Sequence, residues 1–405
     1  MHDAWGKESI LKNILRLLTS LFAVFSFAFF GTVTPTFAQS VTSNVHKLVS
    51  HHVCTTIVSG QAHCNAILVD KNSKGVTPFA SSPGGLNPAD LQSAYNLPSS
   101  SLGSGQTVAI VDAYDDPNAE SDLAVYRAQF GLPECSTANG CFSKVDQRGG
   151  TNYPAGNTGW SEEISLDLDM VSAVCPLCNI LLVEGDSASF ANLGTAVNTA
   201  VSLGATTVSN SYGGGESFLS FLYASYYNHP GVIITASTGD SGYGVEVPAG
   251  YNTVVGVGGT SLHASSNDPR GWIESAWSGA GSGCTSYESK PTWQSDPDCS
   301  HRTIADVSAV ADPATGVSVY DTYGVAGWLV FGGTSVSSPI IASVYALAGN
   351  ASSLNAAESL YNDPGDLNDV TSGSNGNCNG SYLCTAGNGY DGPTGLGTPN
   401  GIGAF

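Results

Sequence analysis

Three places in the sequence hold side chains able to do nucleophilic or acid–base chemistry. The stretch Gly332-Gly333-Thr334-Ser335-Val336-Ser337-Ser338-Pro339 puts a serine where a glycine-rich turn runs into a helix. Glycine lets a substrate backbone come close, and a helix N-terminus favours negative charge developing on a nearby oxygen. Ser335 is therefore a candidate nucleophile, with an N-cap as the plainer alternative. Glu163 and Asp167 lie four residues apart and share one helix face. Two carboxyls so close do not both ionise readily, so one pKa rises and a proton is shared. An acidic face turned to water, extended by Glu162 and Asp169, is the alternative. Against it, Ile164, Leu166, Leu168, Met170 and Val171 leave that helix little room to face solvent. Asp240 lies in Ser237-Thr238-Gly239-Asp240-Ser241-Gly242, directly after an apolar run at 232–236. Loops after strand carboxyl ends build sites in parallel α/β sheets, although a glycine turn also suits a plain turn aspartate. A histidine base is missing from the strand–helix junctions. After residue 63 only His229, His263 and His301 remain, each in loop-like sequence.

The elements that must hold these groups alternate in type. Apolar, β-branched runs predict strands at 106–113, 179–183, 206–209, 231–235 and 253–257. Helical spacing predicts helices at 121–130, 161–174, 189–203, 218–227 and 336–347. Ser161 is the expected opener of the second helix, with Glu163 in its first turn, and Gly204 closes the third. Strands alternating with helices of this length predict an α/β fold, a mostly parallel central sheet covered by helices on both faces. Asp112, at the end of the first strand, reads as a strand-capping residue or as a further member of the carboxyl group.

Composition narrows the function classes. The 405 residues hold 33 Asp plus Glu against 12 Lys plus Arg, a formal net charge of −21, and only six of the basic residues follow residue 84. That balance excludes nucleic acid and anionic membrane surfaces as partners. Hydrophobic residues at 41% with few charges exclude a disordered chain. Lys7, Lys12 and Arg16, an apolar run at 17–30 and Thr36-Phe37-Ala38 read together as a secretory signal over 1–38. Residues 39–84 read as a short propeptide or linker, ending in Ser81-Ser82-Pro83-Gly84-Gly85. The ten cysteines fall in neighbouring pairs, 54/64, 135/141, 175/178, 284/299 and 378/384. Behind a signal, an even count predicts disulfides, with neighbour pairing as the simplest connectivity.

Taken in order, these motifs resemble the sedolisins, serine-carboxyl peptidases related in fold to subtilisin. The resemblance covers about four-fifths of the chain, from Leu86 on. It rests on Gly333-Thr334-Ser335 with Pro339, Glu-x-x-x-Asp at 163–167, Gly239-Asp240-Ser241-Gly242, Val208-Ser209-Asn210-Ser211-Tyr212-Gly213 and Asp306-Val307-Ser308-Ala309. It implies a single subtilisin-like catalytic domain over 85–405. Ser335 would be the nucleophile, Glu163 the general base, Asp167 its tuning partner and Asp240 the acid donating to an oxyanion. A carboxyl donates only while protonated, so this set implies acid-active hydrolysis of protein or peptide substrates. Asp369-Val370 and Gly387-Asn388-Gly389-Tyr390-Asp391 match the family's calcium loop, which implies one structural Ca2+ held by the Asp369 and Asp391 carboxylates and the Val370, Gly387 and Gly389 carbonyls. The resemblance also implies a large folded prodomain, for which the roughly 45 residues after the signal are too few. A secreted monomeric endopeptidase is the resulting expectation. A tripeptidyl-type exopeptidase and a non-catalytic protein of the same fold are its rivals.

Overall fold

The computed structural model describes residues 49–55, 58, 60–70, 83–325 and 327–405. The expected signal and, of the expected linker, residues 39–48, 56, 57, 59 and 71–82 lie outside the described residues. Residues 49–70, within that same linker, form three strands: β1 (Val49–His52), β2 (His63–Cys64) and β3 (Ile67–Asp70). They are not a spacer. β3 pairs antiparallel with β1 on one side and with a late strand of the chain on the other. The described residues accordingly pack as one unit.

Helix α1 (Pro88–Ala94) follows, with a capping box of Asn87 and Asp90. The strands of the central sheet come next, each followed by a crossover. They are β4 (Thr107–Ala113), β5 (Phe142–Asp146), β6 (Asn179–Gly185) and β7 (Thr207–Asn210). The short β8 (Tyr212–Gly215) leaves this sheet and lies between β2 and β10 (Glu246–Val247). β9 (Ile233–Ser237), β11 (Val255–Ala264) and antiparallel β12 (Trp272–Ala276) extend the sheet to its edge. The order is β12-β11-β9-β7-β4-β6-β5. β13 (Gly283–Ser289) and β14 (His301–Ile304) form a separate pair, β15 (Val307–Val310) joins β11 in parallel, and β16 (Val317–Asp321) pairs with β17 (Gly327–Gly332).

The sheet is buried on both faces because its strands alternate between two cores. Val108 and Ile110 of β4 enter one core, and Ala109, Val111 and Ala113 the other. The first core is closed by α2 (Ala119–Gln129), α3 (Thr158–Val174) and α5 (Thr334–Ala348), and the second by α4 (Phe190–Ser202). Asp112 is two positions on from Ile110, so its carboxyl points into the same core as α3 and α5.

Some expected elements differ. The helix expected at 218–227 is two 3-10 turns, Ser220–Leu222 and Ala224–Tyr227. Phe218, Leu219, Phe221 and Leu222 stay exposed, so no apolar face pays for a helix there, and the Ser220 hydroxyl takes the Ser217 amide. Helix α3 starts three residues before Ser161. Asn157 caps it by accepting from the Trp160 amide, which puts Glu163 in the second turn. All five neighbouring cysteine pairs are disulfides.

Candidate active site

Helices α3 and α5 cross within the first core and bring Glu163, Asp167 and Ser335 together; all three are fully buried. Ser335 is not an N-cap. Gly333 caps α5 at φ 97°, and Ser335 occupies the first turn, where its amide is free of any helical acceptor. Its hydroxyl donates to the Ser211 carbonyl at 3.2 Å, and its amide donates to the carbonyl oxygen of Asn65 at 3.2 Å. Only glycine fits at 333. A Cβ there would overlap the Asn65 carbonyl oxygen and lie 2.6 Å from Asp240 Oδ2.

Burial raises the Glu163 carboxyl well above its usual range, and the charges of Asp167 and Asp112 add to the rise; the nearby Ser335 hydroxyl opposes it. Neither oxygen of Glu163 has a hydrogen-bond partner among the described residues. Burial raises Asp167 as well, against the hydrogen bond from the Ser211 hydroxyl to its Oδ1 at 2.8 Å. The shared proton expected from the i,i+4 spacing thus has three carboxyls to choose among. Asp112 is the third, raised by burial and by Asp167 and Glu184; the last is its register neighbour on β6. Asp112 extends the carboxyl network and does not merely cap a strand, because strand alternation aims it at α3.

Asp240 follows β9, as expected for a loop at a strand carboxyl end. Its Oδ1 accepts from the Thr334 amide at 2.7 Å and from the Thr334 hydroxyl at 2.8 Å. Its Oδ2 is buried without a partner. Burial lifts its pKa to about 8, against those Thr334 hydrogen bonds, so below that pH the group holds a proton for donation. The Ser335 amide donates to the Asn65 carbonyl, and that oxygen and Asp240 Oδ2 both border the point where a Gly333 Cβ would stand. One donor on that oxygen and a protonated carboxyl close by are the parts of an oxyanion site.

Sequence reasoning missed the residues that arrive from the N-terminal strands. His63 Nε2 lies 3.5 Å from Glu246 Oε1, and the hydrogen bond to Glu246 is the main cause that raises the imidazole's pKa. Asn65 Nδ2 donates to Ser237 Oγ at 2.9 Å and to Glu246 Oε2 at 3.4 Å. The concentration of histidines before residue 64 was the one available signal.

No family model matches the chain. Kumamolisin of Bacillus sp. (strain MN-32) is 31% identical over 369 residues, covering 80% of this chain and 63% of that protein. Sedolisin of Pseudomonas sp. (strain 101) is 30% identical over 380 residues, covering 82% and 62%. The solved structure of Pseudomonas sedolisin, a serine-carboxyl proteinase complexed with two molecules of pseudo-iodotyrostatin, aligns at TM-score 0.67 with 27% identity, over 79% of this chain and 96% of that one. Over about four-fifths of its length the chain is similar to members of the sedolisin family.

It spans less than two-thirds of the length of either curated relative of that family. Sphericase aligns at TM-score 0.51 with 18% identity, over 80% of this chain and 99% of that one. The fold is subtilisin-like α/β, as expected.

The second site expected of the family lies near the C-terminus. Asp391 is buried, and its Oδ2 accepts from the Gly387 amide at 3.0 Å, its Oδ1 from the Thr394 amide at 3.0 Å. Asp369 Oδ2 accepts from the Gly389 amide at 2.9 Å. Two carboxyls 22 positions apart in the chain thus grip one glycine loop. Burial, and to a smaller extent the charge of Asp369, lift Asp391 to about 7. This all-oxygen set with unneutralised acidic charge fits a hard cation such as calcium.

Proposed function

We propose that the chain is a secreted, acid-active serine-carboxyl endopeptidase. The observation that carries this reading is the Ser335 amide donating to a carbonyl oxygen next to the buried Asp240 Oδ2, with the buried Glu163 carboxyl beside the serine. Ser335 Oγ attacks the substrate carbonyl carbon and gives its proton to Glu163. The carbonyl oxygen becomes negative between the Ser335 amide and the Asp240 O–H. Glu163 then passes the proton to the leaving amine, and water repeats the sequence in reverse to free Ser335. Asp167, with Asp112 behind it, keeps a proton near Glu163 and sets the pH at which Glu163 acts. A catalytic acid at Asp240 and a carboxylate base at Glu163 need medium acid enough to protonate the first and not the second.

Endopeptidase action is supported by the strand edges beside the oxyanion site, since β8 pairs with β2 and β17 with β3, so extended chain lies on both. Five disulfides support an oxidising, extracellular destination. We also assign one structural calcium ion to Asp369, Asp391 and the Val370, Gly387 and Gly389 carbonyls. When bound it would neutralise the paired carboxyls and fix that loop. Substrates are unfolded proteins or peptides, and the enzyme acts as a monomer. The test is hydrolysis of a denatured protein between about pH 2 and pH 8, comparing the natural chain with Ser335→Ala. Acid-limited activity lost in the variant is expected; activity that survives Ser335→Ala, or that peaks at neutral pH, would overturn the reading.

A further inference from the structure

We propose that Asn375 is a positioning residue for the reaction: it clasps the turn that carries Asp240 against a strap at 279–282 and so holds the Asp240 carboxyl at the oxyanion site. The inference rests on the peptidase reading above and adds to it a residue from outside the catalytic elements.

Asp240 is anchored by its side chain, whose Oδ1 takes both the amide and the hydroxyl of Thr334. Its backbone lies in a turn flanked by Gly239 at φ 106° and Gly242 at φ 76°, and glycines in that conformation add no stiffness of their own. The strap Gly279-Ala280-Gly281-Ser282, between β12 and β13, lies along this turn. The Gly281 amide donates to the Gly239 carbonyl, the Gly242 amide to the Gly279 carbonyl and the Gly244 amide to the Ser282 carbonyl, each at 2.8 Å. These bonds bracket Asp240 on both sides. The strap is as rich in glycine as the turn, so it needs a hold from elsewhere.

Asn375 provides that hold. It is buried, on the segment that runs from Asp369 toward the glycine loop at 387–391. Both hydrogens of its side-chain amide go to the strap: Nδ2 donates to the Ala280 carbonyl at 2.6 Å and to the Ser282 hydroxyl at 2.8 Å. Its carbonyl accepts from the Tyr243 amide at 2.9 Å, which ties it to the turn directly. Its own amide donates to the Cys384 carbonyl at 3.1 Å, and the Ser282 hydroxyl donates to the Leu383 carbonyl at 2.6 Å. Both of these acceptors lie on the ring closed by the Cys378–Cys384 disulfide. One residue thus joins turn, strap and ring, through a primary amide with two hydrogens to give.

The chemistry makes this hold matter. A donor stabilises an oxyanion only when it stands about 2.7–3.1 Å from where that oxygen will be. Slack in the turn therefore weakens the transition state and leaves substrate binding as it was.

The full chain, Asn375→Ala, Asp240→Ala and the double variant should be assayed in acid on a short fluorogenic peptide, with urea unfolding to show that each is folded. Asn375→Ala should lower kcat at least about tenfold and leave KM within about twofold. In the Asp240→Ala background the same substitution should lower kcat by less than about twofold, because the group it positions is gone. Asn375→Asp, which when protonated keeps one of the two donated hydrogens, should recover part of the loss in acid. If Asn375→Ala does not fold, Ser282→Ala takes its place in the cycle, with a fall of at least about threefold expected. An unchanged kcat, a loss carried by KM, or an equal fall with and without Asp240 would each overturn the proposal while Ser335-dependent hydrolysis persists. Absence of Ser335-dependent hydrolysis from the natural chain would overturn the peptidase reading with it.

Discussion

Pro339 leaves the carbonyl of Ser335 without its helical donor, and the Ser211 hydroxyl, 3.4 Å away, stands in its place. That same hydroxyl is 2.8 Å from Asp167 Oδ1. It has one hydrogen to give. With Asp167 protonated, the carboxyl donates to Ser211 and Ser211 donates to Ser335; with Asp167 ionised, Ser211 turns to the carboxylate. The proton on Asp167 is thus communicated to the backbone of the nucleophile.

Ser211→Ala removes this link. It should cost about 1–3 kcal/mol of stability, since in acid the buried Ser335 carbonyl loses its donor and the Asp167 carboxyl its acceptor. Ser211→Thr, which keeps the hydroxyl, should recover most of the loss. Urea unfolding of the three proteins in acid makes the comparison, and equal midpoints would show that the bond contributes nothing.

Glu163→Gln keeps shape and burial while removing the base. Hydrolysis should fall by at least about a thousandfold. Thermal stability at neutral pH should hold or rise, because a buried carboxyl with no hydrogen-bond partner is replaced by a group that never ionises. Calorimetry beside single-turnover kinetics reads both.

Asp112→Asn removes one of the charges that raise Glu163. The base should then ionise at lower pH, and the acid limb of the rate profile should move down by roughly half a unit or more. An unmoved limb would mean that Asp112 is not charged when Glu163 titrates.

Stability should fall as pH rises from about 4 to about 8. Burial, the largest cause in each case, raises Asp240, Glu184 and Asp321 to about 8 and Glu162 to about 7. In that window the folded state holds protons that the unfolded state has released. Each such group stabilises the fold below its unfolded pKa and ceases to do so as pH passes its folded one. The melting temperature should be lower at pH 8 than at pH 4 by roughly 5 °C or more. A flat or rising curve would contradict the burial of these carboxyls.

Calcium should raise the melting temperature of the natural chain and not that of Asp391→Ala. At a hundredfold excess over its dissociation constant the stabilisation is about 2.7 kcal/mol. Titration with a chelator provides the check, and a variant that still responds would place the ion elsewhere.

Much of the site was legible because its parts are local patterns. Four-residue spacing put Glu163 and Asp167 on one face, and their apolar neighbours predicted burial. The apolar run before Asp240 placed it at a strand end. Asp112 was ambiguous from sequence, since its aim depends on the alternation of β4 between two cores. Residues 49–70 could not be read. Their strands are short and their partners, β8 and β17, lie about 150 and 260 residues away, so no local period marks the pairing. The 218–227 run misled because helical spacing of aromatics predicts a helix only where there is a surface to bury them.

Cys54 and Cys64 join the stretch after β1 to β2. β1 pairs with β3 and β2 with β8, so the bond links two pairings that lie in different sheets. A covalently closed short loop removes open conformations from the unfolded segment, so reduction should loosen the N-terminal strands before the rest of the fold.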